Sequence, residues 1–304
     1  MSTGTYLQPA SLHEALALLA EHGGAALVAG GTDLVVGTRQ GKRTLPETLV
    51  AIHLLPNLDG IGGDRGGGLM LGALTTHDAI ECSELVRSNW TALADASAIV
   101  GSPATRHVGT LGGNLANASP AMETGAPLVV LDAKVELQSS GGSRTVPIES
   151  LWASPGRTTA APGEMITGVR VPAPARGSGS AYVRLEFRRS MEIAVVGAAA
   201  LVTLAGDGTV AGARVALTAV APTIVRSPAA EAALRGSEPT AQAIAAAAAA
   251  VHDPAAPISD VRGSDGYRKA MIEVIARRAI DVAARRAAGE DVPVPATMTV
   301  GGTR

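Results

Sequence analysis

Cysteine and aromatic side chains are nearly absent from this chain. The single cysteine, Cys82, excludes an internal disulfide, an iron–sulfur cluster held by this chain alone and a cysteine-rich zinc site. Aromatic residues make up 2% of the 304 residues, so alanine, valine and leucine must fill the interior. Because 46% of the residues are hydrophobic, the chain can still bury a sizeable core, which excludes a disordered protein.

Long runs of one charge sign and long apolar runs are also lacking. The 25 basic and 27 acidic residues give a net charge of −2, which does not favour a nucleic-acid partner. The longest apolar stretch, residues 193–205, is too short to cross a bilayer. The opening segment MSTGTYLQPASLHE has neither the basic nor the apolar region of a signal peptide. We therefore expect a cytoplasmic protein with no membrane span.

The common phosphate-binding and catalytic motifs are missing as well. Residues 37–42 fall one position short of a P-loop, which leaves Lys42 as an ordinary surface residue. No G-x-G-x-x-G fingerprint and no G-x-S-x-G nucleophile elbow occurs, and the six histidines show no metal-ligand spacing. The sequence therefore nominates no catalytic group and no metal site.

Two glycine pairs with polar neighbours are the strongest positive signal. Gly30 and Gly31 follow a strand-like segment and precede Thr32 and Asp33, and the second pair lies in GTLGGNLANASP, residues 109–120. Consecutive backbone N–H groups without a Cβ can form a concave nest for an anion such as a pyrophosphate. Tight turns are the alternative interpretation of both pairs.

Hydrophobic periodicity and turn residues predict a mixture of helices and strands. Ser11 and Glu14 form a capping box for the first helix, and the Pro, Gly and Ser cluster at 172–180 marks a domain boundary. The predicted strands are residues 25–29, 49–53, 128–137, 164–171, 181–187, 195–205 and 210–220, and the segment 101–120 is predicted to be a loop. The later predicted helices are residues 78–87, 91–100, 228–235, 239–252 and 264–288; the last of them is expected to expose Arg277, Arg278, Arg285 and Arg286 to water.

Five segments, in this order along the chain, carry a resemblance to a known family. They are VAGGTDLV, LGALTTHDAIE, TLGGNLANASPAMETGAPLVVLDAKVEL, YVRLEFRRSMEIAVVGAAALVTL and SDGYRKAMIEVIARRAI. Together they resemble the FAD-binding medium subunit of the molybdenum hydroxylases, the xanthine dehydrogenase family that includes aerobic carbon monoxide dehydrogenases. The resemblance spans residues 5–285.

The resemblance implies an α+β fold. A two-subdomain FAD-binding fold of the PCMH type would occupy residues 1–175, divided into subdomains at about 1–56 and 57–175. A C-terminal domain at 180–290 would follow, with a three-stranded antiparallel sheet and a helical bundle, and residues 291–304 would form a tail.

The same resemblance implies a set of cofactor-binding residues, with the FAD pyrophosphate between the two glycine segments. Glu123 stands where the family usually has Asp, and Arg184 stands where it often has Lys. Because Thr32 replaces a histidine and no cysteine lies nearby, the FAD is expected to be non-covalent. The residues implied are Ala29, Gly30, Gly31, Thr32, Asp33, Leu34, Thr75, Thr76, Thr110, Gly112, Gly113, Asn114, Ser119, Glu123, Ile166, Tyr182 and Arg184.

Other polar residues are interpreted more simply. His77 and His107 are expected to be polar loop residues, and Arg188, Arg189 and Glu192 an exposed charge cluster with a structural or subunit-interface role.

For function, the family implies a subunit that carries FAD within a heteromeric enzyme. A large molybdopterin-binding subunit and a small [2Fe–2S] subunit would be its partners, as a dimer of heterotrimers, and the molybdenum cofactor and clusters would lie only in them. Electrons would pass from the clusters through the FAD to an external acceptor. A stand-alone flavin-dependent oxidoreductase and a non-redox interaction subunit remain as alternatives.

Overall fold

The computed structural model describes residues 4–41, 43–188 and 190–297. The expectations for Lys42, for Arg189 and for the end of the tail at 298–304 lie outside these described residues.

Residues 5–51 form a small parallel sheet with two helices, namely β1 (Thr5–Leu7), α1 (Leu12–Glu21), β2 (Ala26–Val28), α2 (Thr32–Arg39) and β3 (Thr48–Ala51). The strand order is β1-β3-β2. The predicted N-cap of α1 is confirmed, because Ser11 Oγ accepts from the Glu14 N–H at 3.2 Å. Glu14 Oε2 accepts at 2.7 Å from the Ala10 N–H, one residue before the N–H that completes a regular capping box. Buried Ala15 and Leu16 of α1 belong to the same hydrophobic cluster as Val50 of β3.

A five-stranded antiparallel sheet follows, with the strand order β4-β5-β10-β6-β7 and a separate β8-β9 hairpin. The strands are β4 (Ile61–Gly63), β5 (Leu69–Gly72), β6 (Lys134–Ser139), β7 (Gly142–Pro147), β8 (Trp152–Ser154), β9 (Arg157–Thr158) and β10 (Met165–Val171). Short helices cover this part: α3 (His77–Cys82), α4 (Glu84–Asn89), α5 (Thr91–Ser97), α6 (Pro103–Arg106), α7 (Leu111–Asn117) and α8 (Gly125–Val130).

Three of these helices correct the sequence predictions. The predicted loop at 101–120 contains α6 and α7, whose first turns are capped by Ser102 and Thr110. The predicted strand at 128–137 begins as α8, since the strand proper starts only at Lys134. Every residue of α8 is buried, and a run that is apolar on all sides shows no periodicity that separates helix from strand.

The predicted helix at 78–87 is interrupted rather than continuous. Ser83 ends α3 and at the same time caps α4, since its Oγ accepts from the Val86 N–H at 3.4 Å. One serine therefore divides the segment into two short helices.

The C-terminal part is an antiparallel sheet covered by helices, as expected. Its three long strands are joined at one edge by a two-residue fourth strand, in the order β11-β12-β13-β14. The elements are β11 (Ser178–Leu185), β12 (Val196–Leu204), β13 (Val210–Thr218), β14 (Val225–Arg226), α9 (Pro228–Leu234), α10 (Ala241–Ala249) and α11 (Asp265–Ala287). At Gly179 a Cβ would lie 2.2 Å from the Ala287 nitrogen, so α11 packs closely on β11.

Four ion pairs among the described residues connect the N-terminal part (residues 4–175) with the C-terminal part (residues 178–297). In each such pair among the described residues, the N-terminal part supplies the carboxylate and the C-terminal part supplies the arginine. The pairs are Asp95–Arg286 and Glu123–Arg184, both at 2.6 Å, Asp132–Arg214 at 2.9 Å and Glu149–Arg226 at 3.5 Å. Arg286, predicted to face water, instead has a side chain that is only 6% exposed.

Candidate functional site

The first glycine pair packs against the backbone that leads into the second. A Cβ on Gly30 would lie 2.0 Å from the carbonyl oxygen of Val108 and 2.7 Å from its carbonyl carbon, so only glycine fits. Gly31 has φ +68° and is the N-cap of α2, a left-handed conformation that favours glycine. The pair therefore sets the start of α2 beside Val108 and Gly109.

The N-terminus of α2 is free of internal hydrogen-bond partners. No side chain caps it, and within the described residues the backbone N–H groups of positions 31–34 have no acceptor. These amides lie at the positive end of an eight-residue helix, an arrangement that binds anions. The first segment thus fits a phosphate-bearing ligand, with Asp33 on the exposed side of the first turn and Ala29 and Leu34 partly buried beside it.

The second glycine segment has a different structure from the first. It forms the start of α7, and its amides are already used: the Leu111 N–H donates to Thr75 O at 2.9 Å, the Gly112 N–H to Ala73 O at 2.8 Å and the Gly113 N–H to Thr110 Oγ1 at 3.1 Å. A Cβ on Gly112 would lie 2.7 Å from the Ala73 oxygen. These glycines therefore allow close packing, and the free amides come from the first segment.

Three threonines of the predicted site hold these segments together. Thr76 and Thr110 form an antiparallel bridge and cap α3 and α7 respectively. The buried Thr75 hydroxyl accepts from the Gly60 N–H at 3.0 Å and donates to the Gly60 oxygen at 2.9 Å. Their hydroxyl groups consequently position the backbone around the site.

The remaining N-terminal candidates lie further along α7, on the loop after it and on β10. Asn114 Oδ1 accepts from Thr124 Oγ1 at 2.6 Å, which ties α7 to the loop at 119–124. Ser119 Oγ accepts from the Ala121 N–H at 3.2 Å within that loop. Ile166 of β10 is 8% exposed and belongs to the central core.

Glu123, Tyr182 and Arg184 form one buried polar cluster between the N-terminal and C-terminal parts. Glu123 Oε1 accepts from Arg184 Nη1 and Glu123 Oε2 accepts from Tyr182 Oη, both at 2.6 Å. Burial, followed by the Glu123 carboxylate, raises the pKa of Tyr182 well above its ordinary value, so the phenol remains a donor. The structure brings these three candidates together with each other, and among the described residues the buried Arg184 Nη2 has no hydrogen-bond partner.

His77 differs from its interpretation as a polar loop residue. It is buried, 2% exposed, at the first position of α3, and its backbone N–H donates to Gly109 O at 3.1 Å. Its Nδ1 has no hydrogen-bond partner among the described residues. Burial, and then the positive charge of Arg106, lower the pKa of His77 to about 4, so the ring is neutral at physiological pH. His107, in contrast, is exposed, and its Nδ1 lies 3.2 Å from Asp78 Oδ1.

His77 should make the protein less stable in acid. The folded state keeps the ring neutral down to about pH 4, whereas the unfolded chain takes up the proton near the ordinary pKa of 6.5. Acid therefore favours unfolding across this interval of about 2.5 pH units, which at about 1.36 kcal/mol each amounts to about 3 kcal/mol. Urea unfolding from pH 7 to pH 4 measures the effect.

The matched variants are His77→Gln and His107→Gln. We expect His77→Gln to lose most of this acid dependence and His107→Gln to keep it. Equal acid dependence in the native protein and in His77→Gln would contradict the assignment.

Arg43 is a residue beside the site that sequence reasoning missed. Its Nη2 donates to Asn117 Oδ1 at 2.6 Å, so it joins the turn after α2 to the end of α7. Its stem also packs 3.3 Å from the position of a Cβ on Gly37. In the sequence, Arg43 stands out only because it directly follows the incomplete P-loop pattern at 37–42. That position does not indicate which residue its side chain contacts.

No helix in residues 4–41, 43–188 and 190–297 is long and apolar enough to cross a membrane.

Comparison with known proteins identifies the two parts of the chain. Residues 2–174 match the family described as the FAD binding domain in molybdopterin dehydrogenase, and residues 181–283 match the CO dehydrogenase flavoprotein C-terminal domain. The carbon monoxide dehydrogenase medium chain of Hydrogenophaga pseudoflava is 34% identical, over 93% of this chain and 98% of that protein. The xanthine dehydrogenase FAD-binding subunit of Escherichia coli O157:H7 is 30% identical, over 94% of this chain and 98% of that protein.

The fold agrees with these matches. A chain of the reconstituted CO dehydrogenase from Oligotropha carboxidovorans superposes with a TM-score of 0.88 at 32% identity, over 93% of this chain and 98% of that chain. The sequence matches and the fold therefore agree on one family, and the free amides of α2 are compatible with it. The chain belongs to the FAD-binding subunits of the molybdenum hydroxylase family.

Proposed function

We propose that this chain binds FAD with the pyrophosphate at the N-terminus of α2, opposite Gly109 and Thr110. The observation that carries the proposal is the set of unbonded amides at positions 31–34, on a helix with no capping side chain. Thr32 Oγ1 supports it, since the hydroxyl lies 3.8 Å from where a Cβ on Gly109 would be, on the side where the two segments face each other. FAD, when bound, supplies the redox chemistry, and the residues of this chain bind and orient it.

Within an assembly, the chain acts as the electron-transfer subunit. It receives electrons from the [2Fe–2S] clusters of a small partner subunit and passes them to an external acceptor, while a large molybdopterin-binding subunit oxidises the substrate. Similarity to the medium chain of carbon monoxide dehydrogenase supports this division of labour. We propose a dimer of heterotrimers, located in the cytoplasm, with FAD held non-covalently.

The proposal also divides the chain into an FAD-binding domain at 1–175, with subdomains at about 1–56 and 57–175, a C-terminal domain at 180–290 and a tail at 291–304. The separation of the parallel sheet of β1–β3 from the antiparallel sheet of β4–β7 and β10 supports the first division. The linker between β10 and β11 supports the second.

Binding of FAD compared with riboflavin tests the pyrophosphate assignment. The apoprotein should bind FAD, and it should bind riboflavin, which lacks both phosphates and the adenosine, about 100-fold more weakly. Loss of two charge-assisted hydrogen bonds to amides accounts for a difference of this size, about 2.7 kcal/mol. Quenching of flavin fluorescence during titration provides the two dissociation constants.

Equal affinity for the two flavins would contradict the role of α2. A colourless chain that cannot be reconstituted with FAD would leave the non-redox interaction subunit as the better explanation. Co-purification with a molybdopterin subunit and an iron–sulfur subunit supports the electron-transfer role. Turnover of a substrate by the isolated chain would instead favour the stand-alone oxidoreductase.

A further inference from the structure

Helices α2 and α7 begin at the same contact and are joined again at their other ends. Gly30, before α2, packs on the backbone of Val108 and Gly109, before α7. Further along, Arg43 Nη2 donates to Asn117 Oδ1 at 2.6 Å, which links the turn after α2 to the last residue of α7. The two helices thus run side by side from the glycine contact to the contact between Arg43 and Asn117.

Between these two contacts the helices leave a groove. No residue of α2 is buried, and its Val35 and Val36 are 48% and 50% exposed. Among the described residues, no hydrogen bond joins α2 itself to α7. Because α2 buries none of its residues against α7, space remains between the helices for a ligand that begins at the amides of positions 31–34.

Arg43 lies across this groove at its far end. A Cβ on Gly37 would lie 3.3 Å from Arg43 Cδ and 3.8 Å from Arg43 Nε, so the arginine stem crosses α2 where the helix has no side chain. Gly37 is about 8 Å along the helix axis from Thr32, the first residue of α2. The guanidinium is therefore within reach of a group attached to an anion at the start of α2.

The Arg43 guanidinium has unused binding capacity. Asn117 Oδ1 is the one acceptor that its side chain meets among the described residues. Its Nε, its Nη1 and its planar face therefore remain available to a ligand. A guanidinium stacks on aromatic rings and donates hydrogen bonds to ring nitrogens and hydroxyl groups. A nucleoside offers both kinds of partner, a planar base and the hydroxyl groups of a ribose.

We propose that Arg43 binds the adenosine half of FAD and makes the site select the dinucleotide over flavin mononucleotide (FMN). This inference rests on the function proposed above, which puts the pyrophosphate at the start of α2. Adenosine is the shorter half of FAD, with a ribose and a two-ring base, whereas the flavin half has a ribityl chain and a three-ring system. The short distance from the amides of α2 to Arg43 fits the adenosine, so the flavin leaves the pyrophosphate in the other direction.

Binding of FAD, ADP and FMN to the native apoprotein and to Arg43→Ala tests the assignment. ADP contains the adenosine and two phosphates without a flavin, and FMN contains the flavin without adenosine. Arg43→Ala should weaken the binding of both FAD and ADP about 10-fold, the loss expected for one stacking or hydrogen-bonding group, and should leave FMN within about twofold. Isothermal titration calorimetry measures the three dissociation constants.

Arg39→Ala is the matched control. Arg39 is the last residue of α2 and is exposed, so the variant removes the same charge from the same end of the helix without removing the contact with Asn117. It should leave all three dissociation constants unchanged. The midpoint of urea unfolding of Arg43→Ala should stay close to the native midpoint, because Arg43 is exposed as well.

Unchanged affinity for FAD and ADP in Arg43→Ala would overturn the role of Arg43 and leave the pyrophosphate assignment standing. Equal weakening of FAD, ADP and FMN, or weakening of FMN with unchanged ADP, would also overturn it, because the loss would then not follow the adenosine. A native chain that binds none of the three ligands would show that the proposed function itself fails, and the role of Arg43 with it.

Discussion

Replacement of Gly30 by alanine is expected to lower the free energy of unfolding by about 3 kcal/mol and to weaken FAD binding about 100-fold. The new Cβ would lie 2.0 Å from the Val108 carbonyl oxygen, well inside contact distance. Both groups belong to the backbone, so no rotamer change can relieve the overlap and the two segments must separate. Separation moves the amides of α2 away from Gly109, which lies across the proposed pyrophosphate position.

Gly23→Ala is the control for this experiment. A Cβ on Gly23 meets no atom within 4 Å, and its backbone is not in the left-handed region. Urea unfolding and FAD titration of the two variants should therefore differ sharply. A Gly30→Ala protein with native stability would show that the contact with Val108 does not form. Native FAD affinity in a destabilised Gly30→Ala protein would show that the contact between Gly30 and Val108 stabilises the fold but is not needed for FAD binding.

The second large effect is expected for Asp95→Asn, at about 4 kcal/mol of unfolding free energy. Asp95 of α5 is fully buried and accepts from Arg286 Nη1 at 2.6 Å, from Arg286 Nη2 at 3.1 Å, and from the Tyr182 and Ala296 N–H groups at 3.0 Å and 2.9 Å. An amide would turn an NH₂ group toward two of these donors. It would also leave the buried Arg286 guanidinium without a counter-charge.

Asp132→Asn is the matched control for Asp95→Asn. Like Asp95, Asp132 is a carboxylate of the N-terminal part that pairs with an arginine of the C-terminal part, but its side chain is exposed. Asp132→Asn should therefore lower the free energy of unfolding by less than about 1 kcal/mol. Urea denaturation at neutral pH compares the two variants. Similar small losses in both would mean that Asp95 does not connect the N-terminal and C-terminal parts as the structure indicates.

Much of the fold could be predicted from local sequence patterns. The N-cap at Ser11 and the glycines after it delimited α1, and the turn between 205 and 208 separated β12 from β13. These patterns act through neighbouring residues, so they are visible in the sequence without knowledge of the fold. The same holds for α11, which was predicted at 264–288 and spans Asp265–Ala287.

The segments that were mispredicted are those whose structure depends on burial. α8 is buried on every side, and its apolar run matched a strand equally well. α6 and α7 contain too many glycine, serine and asparagine residues to be recognised as helices by propensity. Their threonine and serine caps, together with packing of Leu111 and Leu115 into the core, stabilise them despite this composition.

Arg286 shows why the amphipathic pattern of α11 did not predict the burial of every side chain. Its position at the end of α11, among other arginines, is typical of an exposed residue. It is buried because Asp95 lies opposite, 191 positions earlier in the chain. A distant partner of this kind leaves no signal in the spacing of residues along a helix.

The sequence by itself determined the family and the importance of the two glycine pairs, because those properties reside in short contiguous motifs. Only the tertiary structure decided what the glycines do. Gly30 is excluded from bearing a side chain by the Val108 carbonyl, Gly112 by Ala73, and only the amides at the start of α2 remain available to a ligand. These roles depend on contacts between segments about 40 to 80 positions apart, which packing brings together and which no local pattern encodes.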